Sequence, residues 1–76
     1  MRRYTCIKYD IENFSGRKLN APHYFELALV RDTSEPHTFR FVNLDTDTIL
    51  TPKFSTPARA LDWLDTTGWE WEAESK

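Results

Sequence analysis

Little in this chain is reactive, and little of it is built for cross-linking. Cys6 stands alone, so no disulfide can form within the chain, and a reduced, cytoplasmic setting is the expectation. Only Gly16 and Gly68 offer glycine freedom, too few for a phosphate-cradling loop, and none of G-x-x-x-x-G-K, G-x-G-x-x-G or G-x-S-x-G occurs. The longest apolar run, Leu27 to Val30, falls far short of the roughly 20 residues that cross a bilayer, so no membrane partner is expected. The amino terminus, Met1-Arg2-Arg3-Tyr4-Thr5-Cys6-Ile7, starts basic but runs into alternation rather than the apolar stretch of an export signal. There is no internal repeat and no low-complexity segment.

What is present is aromatic. Five Phe, three Tyr and three Trp stand among 76 residues, which lets a chain of one-domain length, residues 1–76, close a modest core without staples. The net charge of −2 is too small to name a partner, but its distribution is uneven. Residues 1–40 carry seven Lys and Arg against five Asp and Glu, whereas residues 41–76 carry three against seven.

The most complete signal is a helix over Thr56–Thr67. Thr56 can cap the free amides, Pro57 suits the first helical position, and Gly68 supplies a left-handed stop. Ala60, Leu61 and Leu64 form its apolar stripe, with Asp62 and Asp65 opposite. Before it, Arg3–Ile11 alternates with period two, Thr5, Ile7, Tyr9 and Ile11 facing one way and Tyr4, Cys6 and Lys8 the other. Glu12–His23 reads as an exposed, turn-rich loop through Ser15-Gly16 and Asn20-Ala21-Pro22. Tyr24–Arg31 reads as a central strand, Asp32 to Pro36 as a turn, and Thr38–Leu44 as the next strand. Asp45-Thr46-Asp47 turns again into Thr48–Phe54, a fourth strand that Pro52 marks as an edge or an end. Trp69-Glu70-Trp71-Glu72 alternates as a short fifth strand, and Ala73 to Lys76 reads as a frayed end. The expected architecture is α+β: an antiparallel, meander-like sheet of four to five strands with one helix on one face. The expected core is Ile7, Phe25, Leu27, Leu29, Phe39, Phe41, Leu61 and Leu64.

No constellation of catalytic residues emerges. Asp45 and Asp47 echo the first ligands of a calcium loop, yet the sharp-turn glycine position is Leu50 and the bidentate position is Thr56, so a hairpin turn is the reading. Cys6, His23 and His37 are too scattered for a zinc site and have no orienting third group for a Cys-His nucleophile. Asp10, Glu12 and Glu26 read as solvated strand-face charge rather than an acid–base pair. No metal or cofactor is expected, and an enzyme with sites shared between subunits ranks last.

Two binding readings remain. Trp63, Trp69 and Trp71 crowd within nine residues and are flanked by Glu70 and Glu72, so the carboxyl-terminal segment and its sheet edge form a candidate protein-docking surface. A small non-catalytic intracellular interaction module or regulator, with a partner still to be identified, is the favoured function. The alternative is nucleic-acid binding through Arg2, Arg3, Lys8, Arg17, Lys18 and Arg40, which interleave with Tyr4, Tyr9, Tyr24, Phe39 and Phe41. The join of Phe54-Ser55-Thr56 into the helix resembles, over about fifteen residues, the arm-type DNA-binding domains of phage integrases, which lay a three-stranded sheet in the major groove. The join itself is a generic one, and the basic density such domains carry around their reading strands is thinner here.

Overall fold

Alternation along four segments and one capped amphipathic segment produce a single five-stranded sheet and one helix. The computed structural model describes residues 2–14 and 16–74, and at 11–14 and 17–19 the backbone alone. The strands are β1 (Arg2–Phe14), β2 (Arg17–Arg31), β3 (Phe39–Asn43), β4 (Thr48–Ile49) and β5 (Glu70–Ala73), with helix α1 (Pro57–Thr66) between the last two. They lie in the order β4-β3-β2-β1-β5, every neighbouring pair antiparallel. The first four form the expected meander. The chain then crosses the sheet through α1 and adds β5 beside β1 at the far edge.

The loop expected over Glu12–His23 is instead a continuation of the first hairpin. Pairing runs without interruption from Arg2↔Leu29 to Phe14↔Arg17, and Gly16 takes φ of +79°, the left-handed backbone that glycine adopts at no steric cost. Ser15 lies outside the described residues. Seven residue pairs, from Lys8↔His23 to Phe14↔Arg17, extend past the ends of the flanking strands as a two-stranded ribbon, which lengthens the molecule to 49 × 25 × 21 Å. The loop signal comes from the turn-forming residues Ser15-Gly16 and Asn20-Ala21-Pro22, whereas the pairing that makes this segment a strand is made across the ladder with β1. Pro22, opposite Tyr9, sits where β2 has no outer neighbour, a position that tolerates its missing N–H.

The fourth strand is shorter than the expected Thr48–Phe54. It ends at Ile49, and the chain returns to the sheet only at Phe54, which exchanges backbone hydrogen bonds of 2.7 and 2.9 Å with Phe39. Pro52, between them, has no N–H for a ladder. The helix keeps the expected signals. Thr56 Oγ1 accepts from the Arg59 amide at 3.2 Å, Pro57 opens the first turn, and Gly68 follows with φ of +81°.

One sheet face packs on α1. Tyr4, Cys6, Leu27, Leu29 and Phe41 are buried there against Ala60 and Leu64. Phe25, Phe39 and Leu61 pack around them, partly buried. Ile7 is the exception among the expected core residues. Its pairing with Tyr24, next to Cys6↔Phe25, sends it to the opposite face, and Tyr4 and Cys6 fill the core in its place. Alternation gives two faces but not which is inward: with Tyr4 and Cys6 on one side and Ile7 and Tyr9 on the other, β1 follows the register imposed by Leu27 and Leu29. No helix among the described residues is long and apolar enough to cross a membrane.

Candidate docking surface: the open sheet face and the β5 edge

The three tryptophans help to close the core. Trp63, on α1, lies against Phe41 and Phe54 with ring centroids 5.9 and 5.8 Å apart. Trp69 meets Phe25 edge-on at 5.0 Å and Trp63 at 5.8 Å, and Trp71 meets Tyr4 at 5.7 Å while its indole N–H donates to Asp65 Oδ1 at 2.9 Å. These edge-to-face pairs match the ring quadrupoles and tie β5 to the helix side of the sheet. All three indoles are half-buried. Strand alternation then places Glu70 and Glu72 on the other side of β5, exposed, so indoles and carboxylates do not share one strip.

The outer side of β5 is an open sheet edge. On its inner side it pairs with β1 from Ile7↔Glu70 to Tyr4↔Ala73, and the Glu74 amide continues the ladder by donating to the Arg3 carbonyl at 3.0 Å. Hydrogen-bonded pairs alternate in an antiparallel ladder, so Glu70 and Glu72 share the orientation of Glu74, and the backbone groups of Trp71 and Ala73 point away from β1. Among the described residues no strand covers that side.

Among the described residues nothing covers the face away from α1. Reading across the strands, that face carries Ile49, Val42, Ala28 and Arg3 in one row and Glu26, Thr5 and Glu72 in the next. Tyr24, Ile7 and Glu70 form the third row. Leu44, just past β3 and donating its amide to the Glu26 carbonyl at 2.9 Å, continues the second row. The four large apolar side chains that stand exposed among the described residues are Tyr9 (50%), Tyr24 (68%), Leu44 (37%) and Ile49 (56%), and all four lie on this face. Cross-strand neighbours close over Ala28, which is buried although no layer lies above it.

Carboxylates gather on the β5 side of the same face. The Tyr9 hydroxyl donates to Glu70 Oε2 at 3.2 Å, and that bond and the adjacent negative charge hold the Tyr9 pKa above its ordinary value. Glu74 lies in hydrogen-bonding reach of Glu26, so its pKa is raised by the shared proton the pair requires. Glu26 Oε2 is buried without a donor. A shallow depression of about 260 Å³ is lined by Thr5, Tyr24, Phe25, Glu26, Asp45 and Glu74, three of them carboxylates.

The basic residues are not gathered in this way. Arg2 and Lys8 alternate onto the helix side of β1 and Arg3 onto the other, Lys8 lies 3.9 Å from Asp10, and Arg40 spans Asp32 (3.7 Å) and the Leu50 carbonyl (3.1 Å). The side chains of Arg17 and Lys18 lie outside the described residues. Burial pushes the Cys6 thiol up to about 11, so at neutral pH it is a packed, un-ionised group rather than a nucleophile. His23 sits 3.5 Å from Asp10 and His37 is exposed in the β2–β3 turn. Among the described residues no three His, Cys, Asp or Glu side chains converge as a metal site.

No protein-family model matches the chain, and no curated protein or solved structure is significantly similar to it.

Leu44 and Ile49 belong to the surface but do not stand out in the sequence, and Tyr24 stands out there only among the aromatics that interleave with the basic residues. Their signal was the alternation of β2: once Leu27 and Leu29 face the core, Tyr24 and everything in register with it must face away.

Proposed function

We propose that this chain is a non-catalytic protein-interaction module that docks a partner at the acidic edge formed by β5. The observation that carries this reading is the combination at β5 of an open backbone edge, through Trp71 and Ala73, with exposed carboxylates at Glu70 and Glu72. An open strand edge is a template for a further strand. Its carboxylates discourage the most available partner, a second β5, because antiparallel self-pairing sets Glu70 and Glu72 against their own copies. The tryptophans contribute by fixing β5 rigidly to the core rather than by direct contact.

The test is affinity capture from native-source lysate in two arms, with and without nuclease. The expected result is a protein retained in both arms and lost when Glu70→Lys and Glu72→Lys are introduced together. Retention that disappears on nuclease treatment, and is instead sensitive to Arg17→Glu with Lys18→Glu, would replace this reading with nucleic-acid binding. Trp71→Ala is unsuitable as a probe, because it removes the ring packed on Tyr4 and the bond to Asp65.

A further inference from the structure

Resting on that docking reading, we infer that the uncovered sheet face beside β5 receives a cationic amphipathic segment of the partner protein, its apolar side on Tyr9, Tyr24, Leu44 and Ile49 and its Lys or Arg side chains over Glu26, Glu70, Glu72 and Glu74. The face asks for a cover. A sheet closed on one side by α1 leaves on the other every large apolar side chain that the described residues expose. Scattered exposed apolar residues need no explanation, but four on one face of one sheet form a patch.

Charge decides what the cover is. Among the described residues, Glu26, Glu70, Glu72 and Glu74 stand on this face, with Asp45 lining the depression beside Glu26 and Glu74, against Arg3 and Arg40, and Arg40 is already engaged by Asp32 and the Leu50 carbonyl. A purely apolar cover would bury the carboxylates unpaired, at a cost no apolar contact offsets. A second copy stacked face to face would set carboxylates against carboxylates, or against Ile49 and Val42. A nucleic acid would meet the same negative field. A cationic segment pairs the exposed acids and relieves the repulsion between Glu26 and Glu74 by placing positive charge beside them. Apolar and acidic residues lie side by side across the strands, so the segment must be apolar on one flank and basic on the other. That is the pattern of an amphipathic helix, the element that already covers the opposite face.

The probe is a capped Leu/Lys peptide of about 14 residues with Leu at helical spacing, titrated into the intact chain with backbone amide shifts as readout. A Leu/Glu peptide of the same pattern is the comparison. The expected result is shifts at Thr5, Ile7, Glu26, Val42, Glu70 and Glu72, with affinity weakened about tenfold by Glu70→Lys with Glu72→Lys. Affinity should also weaken several-fold with Tyr24→Ser and Ile49→Thr together, and added salt should weaken it further. Equal binding of the Leu/Glu peptide, no binding of either, shifts confined to α1, or indifference to Tyr24→Ser and Ile49→Thr would each overturn the inference. So would dimerisation of the free chain that those two substitutions abolish. The outcome separates from that of the docking reading: a nuclease-resistant partner that the Leu/Lys peptide fails to displace leaves docking standing and removes this inference, whereas a lysate with no such partner removes docking itself.

Discussion

The two faces of this sheet are made by the same strands with the same period, yet they end differently. On one, Tyr4, Cys6, Leu27, Leu29 and Phe41 disappear under Ala60 and Leu64 of α1, and Trp63, Trp69 and Trp71 close the margin by edge-on contacts. On the other, Tyr24 and Ile49 remain more than half exposed, beside carboxylates that gain nothing from one another. The covered face buries the apolar area that stabilises the fold, and the open face leaves its large apolar side chains in water. Substitution should therefore divide the faces by effect: stability on one, binding on the other.

The largest expected effect is on the covered face. Phe41→Ala should cost about 3–5 kcal/mol and Leu64→Ala about 2–5 kcal/mol, since each removes a fully buried side chain and leaves a cavity. A chain of this length has roughly 4–11 kcal/mol in total, so either variant approaches global unfolding in a urea titration. Tyr24→Ser or Ile49→Thr should change the unfolding free energy from the same titration by no more than about 0.5 kcal/mol. Similar losses on both faces would mean that the open face is a structural layer in its own right and would undo the comparison.

The next effect tests the cover itself. Thr56→Ala removes the acceptor for the Arg59 amide at the start of α1 and should cost about 1 kcal/mol, read as a shift in the urea midpoint with an unchanged slope. A changed slope would show that α1 detaches separately from the sheet.

This division also explains which parts of the fold the sequence announces. The α1 limits were legible because capping is local chemistry: Thr56, Pro57 and Gly68 act within one turn of themselves. The core residues of β2 and β3 were legible because the largest apolar side chains of those strands, Leu27, Leu29 and Phe41, fall at alternate positions that face one buried layer. Ile7 was assigned to the wrong face because β1 is apolar on both sides, and its orientation is set by β2 across the ladder, which no local pattern records. The β2 half of the ribbon reads as loop because Ser15-Gly16 and Asn20-Ala21-Pro22 are turn-forming residues, and the pairing that makes the segment a strand lies across the ladder in β1. Of the docking surface, Glu70 and Glu72 were legible as exposed acid beside Trp71, whereas the joining of Tyr24, Leu44 and Ile49 into one patch depends on register across three strands.

A smaller effect concerns the carboxylates of the open face. The folded-state pKa of Glu74 is raised by Glu26, so the folded chain holds that proton more tightly than the unfolded chain does. The contribution favours folding below the unfolded value, is lost as pH rises through the folded one, and leaves a repulsive pair at neutral pH. Glu74→Gln should therefore raise the midpoint of thermal unfolding slightly at neutral pH, and the gain should vanish below the ordinary glutamate range of about 4. A destabilised Glu74→Gln would show that the carboxylate serves Arg3 more than it opposes Glu26.

The smallest effect is the most local. The Tyr9 phenol donates to Glu70 Oε2, and ionising it would place a second negative charge beside that carboxylate after removing the proton that joins them. The pKa is therefore raised, and by linkage the bond contributes from neutral pH up to the unfolded tyrosine value of about 10 and is lost as pH climbs through the higher folded one. Both groups are exposed, so water screens the pair and its effect on stability is small. Its effect on titration is direct: Glu70→Gln removes the charge but keeps a carbonyl acceptor, so tyrosinate absorbance should develop at lower pH than in the unsubstituted chain. Tyr9→Phe assigns that component of the titration. If instead Tyr9 titrates identically with and without the carboxylate, the acidic side of the open face is too well solvated to hold a fixed geometry. The two faces would then differ in order as well as in cover.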